Sequence, residues 1–428
     1  MTVEQTSREY LLNGPDMVAD PYAGFGRIRE EAPIVRARMW DGNLVWLVTR
    51  YDEVGTVLMD RRFVNSSASL PGGTDTYAEL LCQAGIPADL VPHLTGNLIF
   101  TDPPVHTRLR KLVSRVFTLR RVTAMRPRVE AVADELLDAL PCHAVDGTVD
   151  LIEHFAYPLP ITVICELVGV PAEDRSSWRR WSSDFTSLDP RRLAPMLAQV
   201  RAHVQELAGR RRAEPADDLL SDLIQAHDED AGRLSDTELV TMVLTMMMAG
   251  HETTSHLVGN SVLALLTHPD QLALLRADPA LMPGAVQELL RWCSPAVISK
   301  LRYATEDVTI GDTLIRQGDG VMVVLGAANH DPRRFPEPDV LDVTRPVDAN
   351  AQHLAYSRGA HYCVGAALAN QEAEVALAAI LARYPDLALA VAPDRVEWHR
   401  FPGVRQLARL PVTLHAASRT AAPSTAAS

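Results

Sequence analysis

A cysteine in a glycine-bearing loop is the first group in this sequence that could do chemistry. Cys363 lies within SRGAHYCVG, residues 357–365, and a helical pattern begins directly after this loop. Backbone N–H groups at a helix N-terminus favour a thiolate over a thiol. A thiolate in that place could bind a soft metal such as a haem iron, or it could act as a nucleophile. The alternative is a small buried cysteine without a chemical role.

A lone acid in a long apolar stretch is the second such group. Between Leu239 and Pro269 the only charged side chain, histidines aside, is Glu252. A helix with so little charge is largely buried, and a buried carboxylate is costly unless it is paired. Gly250 and Thr253 lie beside it, and both residue types weaken a helix. The pattern indicates a groove where a ligand approaches the backbone; the alternative is a core helix whose Glu252 has a salt-bridge partner elsewhere.

The elements that must position these groups are mainly helical. The capping box S-x-x-E at 235–238 predicts a helix from Asp236 to about Leu266. Asp102, followed by two prolines, predicts the N-cap of a helix over VHTRLRKLVSRVF. Alternating residues on either side of Gly311 predict a β-hairpin, and VMVVL predicts a further strand. The sequence therefore predicts a mainly α fold with small β-sheets in one large unit.

The composition excludes several classes of protein. The 428 residues carry 41 Lys and Arg against 54 Asp and Glu, and the net charge of −13 argues against nucleic-acid binding. No apolar run reaches the ~18 residues of a membrane span, and the N-terminus lacks a secretory pattern. The five cysteines form no C-x-x-C pair, so neither a disulfide framework nor a zinc site through His361 and Cys363 is expected. We expect a cytoplasmic protein with four reduced structural cysteines, Cys82, Cys142, Cys165 and Cys293.

Two of these segments resemble motifs of the cytochrome P450 family. The loop with Gly359, His361, Cys363 and Gly365 is similar to that family's cysteine-ligand loop, F-G-x-G-x-H-x-C-x-G. The segment AGHETT, residues 249–254, is similar to the family's oxygen-binding helix motif. The resemblance implies the cytochrome P450 fold, with haem between the long central helix and the cysteine loop.

Two further motifs strengthen the resemblance. Glu288 and Arg291 match the family's E-x-x-R motif, and Arg345 matches the arginine that completes this ion cluster. The order and spacing of all four motifs agree with the family, and the resemblance covers nearly the whole chain. It is closest to actinobacterial enzymes that hydroxylate macrolides and other polyketides. It implies one catalytic domain over 1–415, and the small polar residues 416–428 predict a disordered tail.

The resemblance also implies a role for each candidate site residue. Cys363 would be the axial thiolate ligand of the iron in haem b. Glu252 and Thr253 would bring protons and water to bound oxygen. The haem propionates would be held by four residues, His106, Arg110, Arg302 and His361. Glu288 and Arg291 would hold the structure beneath the haem and take no part in the chemistry.

The substrate is expected on the side of the haem opposite Cys363. Six apolar residues match substrate contacts by position, with a core role as the alternative: Leu98, Ile99, Met246, Ala249, Val297 and Ile298. The stretches 65–94 and 185–197 are expected to be irregular, to shape the pocket and to move as a lid. Three basic residues are expected to form a docking patch for an acidic electron donor, with a solvated surface as the alternative: Lys111, Arg115 and Arg358.

The function implied by the resemblance is that of a haem-thiolate monooxygenase. The enzyme would hydroxylate an unactivated C–H bond of a large apolar substrate, such as a macrolide, another polyketide or a peptide natural product. It would use O2 and electrons from NAD(P)H, passed on by a ferredoxin reductase and a ferredoxin, and would have no nucleic-acid or membrane partner. The alternatives are epoxidation, peroxide-driven oxidation by the same haem, and a non-catalytic haem- or ligand-binding protein.

Three positions depart from the family pattern. Tyr356 stands where phenylalanine is usual, Ser357 where glycine is usual, and Asn370 where arginine commonly follows Leu-Ala. Serine adopts a positive φ less readily than glycine does. We therefore expect the loop geometry and the hydrogen bonding to the thiolate to differ from the family's, and the reduction potential with them.

Overall fold

Helices make up most of the chain. The computed structural model describes residues 9–187, 189–229, 234–347, 352–400 and 403–414. The α-helices in these residues are α1 (Pro15–Ala19), α2 (Pro21–Glu31), α3 (Tyr51–Met59), α4 (Thr76–Gln83), α5 (Pro92–Thr95), α6 (Val105–Val116), α7 (Leu119–Ala124), α8 (Arg126–Ala139), α9 (Pro158–Val168), α10 (Arg175–Thr186), α11 (Pro190–Ala213), α12 (Leu219–Glu229), α13 (Asp236–Thr267), α14 (Pro269–Ala277), α15 (Met282–Cys293), α16 (Leu325–Asn329) and α17 (Ala366–Arg383).

The strands are short and form small sheets, as the sequence predicts. They are β1 (Tyr10–Leu11), β2 (Ile34–Arg38), β3 (Leu44–Val48), β4 (Phe63–Val64), β5 (Thr148–Asp150), β6 (Arg302–Ala304), β7 (Val308–Ile310), β8 (Thr313–Ile315), β9 (Gly320–Val323), β10 (Ala388–Leu389) and β11 (Pro411–Thr413). The largest sheet has the order β1-β2-β3-β9-β6-β4, and a smaller one has the order β10-β11-β5. The predicted hairpin is β7 and β8, with Gly311 at a φ of +56° in its turn. The prediction of a mainly α fold is confirmed.

The long helix α13 is the centre of the helical part. Ser235 and Glu238 form the predicted capping box, each side chain accepting from the other's backbone N–H, and α13 then runs to Thr267. The helix packs against α5, α9, α11, α15 and α17. Most of its residues are buried, because its apolar side chains face neighbours on several sides. The predicted length of this helix is confirmed to within one residue.

The predicted N-cap before α6 is wrong. This helix begins at Val105, and its N-terminus has no side-chain cap. The Asp102 carboxylate accepts instead from the backbone N–H groups of Asn65 and Ser66 and from the Ser69 hydroxyl. Asp102 therefore joins the start of α6 to the chain that follows β4. Two prolines separate it from the helix, so its side chain is free to cap a more distant turn.

The two stretches expected to be irregular contain helices. Residues 65–94 include α4, and residues 190–197 form the first two turns of α11. Met196 and Leu197 are buried, so the start of α11 is part of the core. Proline at the first helical position and Asp189 at the N-cap explain why a helix begins here. The expectation of irregular structure is wrong for these helical segments; the tail 416–428 lies outside the described residues.

No helix in the described part of the chain is both long enough and apolar enough to cross a membrane. The most apolar long helix, α13, places its apolar side chains against other helices of the same chain. Its hydrophobicity is thus accounted for by the protein core.

Candidate active site

The cysteine loop leaves the Cys363 side chain exposed, although protein atoms surround the thiol closely. Gly359–His361 form a short 3-10 turn, the Cys363 N–H donates to the Tyr356 carbonyl at 3.0 Å, and Gly365 caps α17. The side chain of Cys363 is accessible. It is otherwise surrounded by protein, and this burial raises the pKa of its thiol. Hydrogen bonds from the backbone N–H groups of Gly365 and Ala366 oppose that rise. Such a sulfur could ligate a metal next to the loop.

In the middle of α13, two side chains are exposed although most of the helix around them is buried. Ala249 and Thr253 are exposed, although Met247, Met248 and Thr254 on the same helix are buried. The Thr253 hydroxyl donates to the Ala249 carbonyl at 2.9 Å. Since the helix crosses the protein interior, this accessible face borders an open space inside the fold. It could receive a ligand at the Thr253 hydroxyl.

Glu252 lies beside this face in a hydrogen-bonded network that the sequence did not reveal. The Ser182 hydroxyl of α10 is 3.3 Å from the Glu252 carboxylate and 2.6 Å from Nε2 of His251. Tyr157 OH is 3.2 Å from the same nitrogen. Burial raises the pKa of Glu252 to about 7 and lowers that of His251 to about 4. The expected alternative, a salt-bridge partner for Glu252, is absent from the described residues.

One hydroxyl proton is shared by two acceptors in this network. His251 is neutral near pH 7, and its Nδ1 faces the Met247 carbonyl, which only accepts, so Nδ1 carries the ring proton and Nε2 accepts. Ser182 has a single proton, which it donates either to His251 or to ionised Glu252. When Glu252 is protonated, its O–H can donate to Ser182, and Ser182 can then donate to His251. The protonation state of Glu252 thus decides the direction of these hydrogen bonds.

Glu252→Gln is expected to change how stability depends on pH. The pKa of Glu252 is about 7 in the folded protein against 4.5 normally, so folding favours the protonated carboxyl. The wild-type protein therefore loses stability as pH rises from about 4.5 to about 7, and by at most about 3 kcal/mol. Glutamine does not ionise, so the variant does not lose this stability, and it becomes more stable relative to wild type as the pH rises. Urea unfolding of the haem-loaded proteins between pH 5 and 8 measures the difference.

Ser182→Ala is the matching variant for this prediction. The Ser182 hydroxyl lowers the pKa of Glu252, so its removal raises the pKa of this carboxyl in the folded protein further. The loss of stability should still begin near pH 4.5 but should continue to a higher pH than in wild type. If the stability of wild type and of Glu252→Gln changed equally with pH, the prediction would be contradicted.

A cluster of basic side chains lies near the cysteine loop. The rings of His106 and His361 are 4.1 Å apart, and Arg110 donates to the Tyr362 carbonyl at 2.6 Å. Burial lowers the pKa of all four predicted propionate residues, that of Arg302 to about 10 and that of His361 to about 4. Among the described residues, Nε2 of His106 and Nε of Arg302 are buried without a hydrogen-bond partner. Unpaired buried donors of this kind fit an anionic ligand such as a carboxylate.

Two of the three departures from the family pattern compensate each other. The Tyr356 hydroxyl donates to the Asn370 side chain at 2.8 Å, so the phenol has a partner in α17. Ser357 adopts a φ of +62°, and Gly359 a φ of +75°. The serine thus takes the left-handed conformation at an energetic cost that glycine would avoid.

The predicted substrate residues occupy different environments. Ala249 and Ile99 are exposed, Met246 and Ile298 are half-buried, and Leu98 is buried. Val297 is fully buried in a cluster with residues of β2, β3 and β9, which favours a core role for it.

The predicted docking patch is divided between two environments. Lys111 and Arg115 are exposed on α6. Arg358 is half-buried, and it donates to the Tyr51 hydroxyl at 2.8 Å and lies over the Tyr51 ring. Arg358 therefore has a structural contact, whereas the two residues of α6 are available to a partner.

A second buried acid was missed by sequence analysis. Glu372 on α17 is 1% exposed, and neither of its carboxylate oxygens accepts a hydrogen bond of normal length and angle from the described residues. Burial raises its pKa well above the usual range, while the Thr254 side chain opposes the rise. The only signal was an acid on the apolar face of a helical pattern, which is weak because acids at exposed helix positions are common.

Comparison with known proteins assigns the class of this protein. The family model Cytochrome P450 matches residues 192–395. Cytochrome P450 monooxygenase PikC of Streptomyces venezuelae is 44% identical over 404 residues, 93% of this chain and 92% of that protein. The 6-deoxyerythronolide B hydroxylase of Saccharopolyspora erythraea is 43% identical over 408 residues, 94% of this chain and 98% of that protein. The chain belongs to the cytochrome P450 family, and it is a monooxygenase that uses haem as its cofactor.

A solved structure agrees with this assignment. The cytochrome P450 PksS of the Bacillus subtilis 168 bacillaene polyketide synthase is similar with a TM-score of 0.84 and 35% identity, over 94% of this chain and 99% of that one. The residues present fit the cofactor: the cysteine loop has an accessible thiol, and the basic cluster leaves buried donors unpaired for the propionates.

Proposed function

We propose that this enzyme hydroxylates an unactivated C–H bond of a macrolide or another large polyketide, using O2 and electrons from a ferredoxin. The observation that carries the proposal is the open face of α13, where Thr253 is exposed beside Glu252. An exposed threonine next to a carboxyl with a pKa of about 7 suits oxygen chemistry that consumes protons. The names of relatives support the substrate class, since one is a 6-deoxyerythronolide B hydroxylase and one belongs to a polyketide synthase.

The cofactor would be held from two sides. Cys363 would ligate the iron, and the haem propionates would accept from the basic cluster, His106, Arg110, Arg302 and His361. When bound, haem with a thiolate ligand supplies the activation of O2. The unpaired Nε2 of His106 and Nε of Arg302 support this placement, because each buried donor would gain an acceptor.

Glu252 and Thr253 would move protons on the substrate side. A carboxyl with a pKa of about 7 is protonated in about half of the molecules at neutral pH, so it both gives and takes a proton. The Thr253 hydroxyl would turn its proton from the Ala249 carbonyl towards the open space and accept in turn from water or Glu252. Ser182 would hold the Glu252 carboxyl, and its own proton would follow the ionisation of Glu252.

The electron donor would dock near the exposed basic residues of α6. Lys111 and Arg115 follow Arg110 on the same helix, and Arg110 contacts the cysteine loop through the Tyr362 carbonyl. A positive patch there would attract an acidic ferredoxin and bring it near the cysteine side of the cofactor.

Thr253→Ala is expected to uncouple electron use from product formation. With 6-deoxyerythronolide B as the trial substrate and a ferredoxin and reductase supplied, product per NADPH should fall roughly tenfold or more, because a proton-donating hydroxyl is lost. Hydrogen peroxide should rise to account for the missing electrons. Product and peroxide are both measured against NADPH consumption.

Thr267→Ala is the control for this experiment. Thr267 also bonds back within α13, to the Leu263 carbonyl, but lies at the far end of the helix. The Thr267→Ala variant should therefore give the same product yield per NADPH as wild type. Equal yields from wild type and Thr253→Ala would remove Thr253 from the mechanism. A wild type that binds haem but makes no product from any polyketide tried would favour a non-catalytic binding protein.

A further inference from the structure

Lys300 is an unusual basic residue at the edge of the basic cluster. The chain contains only two lysines, Lys111 and Lys300. Lys300 is half-buried, and its Nζ donates to the Asn65 carbonyl at 2.6 Å and lies 3.7 Å from the centroid of the Phe100 ring. An ammonium has three donor protons, so one oxygen acceptor leaves its capacity largely unused. No carboxylate lies within 4 Å of it among the described residues.

Its position ties Lys300 to the predicted haem-binding residues. Residues 298–304 run beside β9, with Ser299 bonded to Val323 and Arg302 paired with Val321. The charge of Arg302 lies close enough to Lys300 to lower the pKa of its ammonium, so the two cations are neighbours. Asn65 gives a second link, since its carbonyl accepts from Lys300 while its side-chain amide is 2.7 Å from Nε2 of His361.

The local charges leave a cation in excess. Burial lowers the pKa of Lys300 to about 7, while Asp102 and Asp75 oppose this from a distance. Asp102 is already used by two backbone N–H groups and the Ser69 hydroxyl. With Lys300 protonated, three cations, Arg110, Arg302 and Lys300, stand against Asp102 and Asp75, and haem b would bring two propionates. An anionic group beside Nζ would favour the charged ammonium that burial disfavours.

We propose that Lys300 is a further haem-binding residue, whose ammonium pairs with a propionate beside Arg302. The inference rests on the proposed haem site and adds one residue to it. Its chemistry is the recognition of a carboxylate by a partly desolvated ammonium, which forms a charge-assisted hydrogen bond. A carboxylate on the substrate is the competing source of the same chemistry, and the experiment separates the two.

Lys300→Met in the haem-loaded enzyme tests the proposal. Transfer of haem to excess apomyoglobin should become about tenfold faster, the factor expected for one lost charge-assisted hydrogen bond. The ferric/ferrous potential should also become more negative, because a cation near the haem favours the reduced iron. Lys300→Gln, which retains a donor for the Asn65 carbonyl without the charge, should move both readouts in the same direction. Lys300→Arg should largely restore them.

Arg316→Met is the matched control, because it also removes one positive charge. Arg316 is 68% exposed and pairs with Asp307 at the end of the β7–β8 hairpin, so neither readout should change. If Lys300→Met and Lys300→Gln both kept the wild-type rate of haem transfer and the wild-type potential, the proposal would be overturned. Weaker binding of a fatty acid in these variants, with unchanged haem properties, would also overturn it and assign Lys300 to a substrate carboxylate. A purified wild type without haem would instead refute the proposed function.

Discussion

Cys363→Ala is expected to abolish the strongly red-shifted band that CO produces in the reduced protein. That band requires a thiolate ligand to the iron, and alanine has no group that can replace the sulfur. Most of the haem site remains in this variant, since three of the four residues of the basic cluster, His106, Arg110 and Arg302, lie on other elements, α6 and β6. The variant is therefore expected to retain some haem while losing the thiolate signature completely. The reduced CO difference spectrum of the purified protein measures both.

Cys82→Ala separates the ligand from cysteine loss in general. Cys82 is also accessible, but it lies on α4, away from the loop that precedes α17. This control should keep the red-shifted band at full amplitude. If Cys363→Ala kept the band, another residue would be the ligand. If wild type gave a histidine-type band, the loop would hold its sulfur protonated, and Ser357 and Tyr356 would be the residues to replace first.

The cysteine loop contains a contact that could not be predicted from the sequence. The sequence identified Tyr356, Ser357 and Asn370 as three separate departures from the family pattern. The structure joins two of them, because the Tyr356 hydroxyl donates to Asn370. Fourteen residues separate the pair, and the contact depends on how α17 packs against the loop. A single sequence contains no signal for such a contact, so only the individual departures could be recognised.

Local signals were sufficient where a short segment decides the structure. The capping box at Ser235, the turn at Gly311 and the helix after Cys363 depend on neighbours within a few residues, and all three are confirmed. Asp102 shows the opposite case. Its side chain suits a helix N-cap, but a distant turn that begins at Asn65 supplies better-placed N–H groups. Local preference was overruled by a tertiary contact.

The proton-handling groups could be predicted only in part. Glu252 stood out as the lone acid between Leu239 and Pro269, and its raised pKa follows from burial, which the charge pattern also indicates. Ser182 gave no signal, because it is one of several serines in a polar helix whose pairing with α13 is a matter of packing. The neutral state of His251 likewise follows from its burial, and its hydrogen-bond partners Ser182, Tyr157 and Met247 are known only from the packing. Sequence therefore found the titrating acid but not the residues that orient it.

Glu288→Gln is expected to cost about 3–5 kcal/mol of folding stability and most of the yield of haem-loaded protein. Glu288 forms two hydrogen bonds with Arg291, at 2.7 and 2.8 Å, and one with Arg345 at 3.0 Å. Glu288 and Arg291 are each 2% exposed, so losing the carboxylate leaves buried guanidinium charge without its counter-ion. Arg291 also donates to the Asn329 and Pro338 carbonyls, which links α15 to the chain after α16. Urea unfolding and the recovered haem content measure the effect.

Glu206→Gln is the comparison that assigns this cost to burial. Glu206 pairs with Arg210 one turn along α11, but both side chains are more than half exposed. Solvent screens such a pair, so its loss should cost less than about 1 kcal/mol. Similar costs for the two variants would mean that Glu288 acts as an ordinary surface ion pair. A large cost for Glu288→Gln alone, with a normal CO spectrum in the haem-loaded protein that remains, would show that the ion cluster maintains the fold around the cysteine loop without taking part in the chemistry.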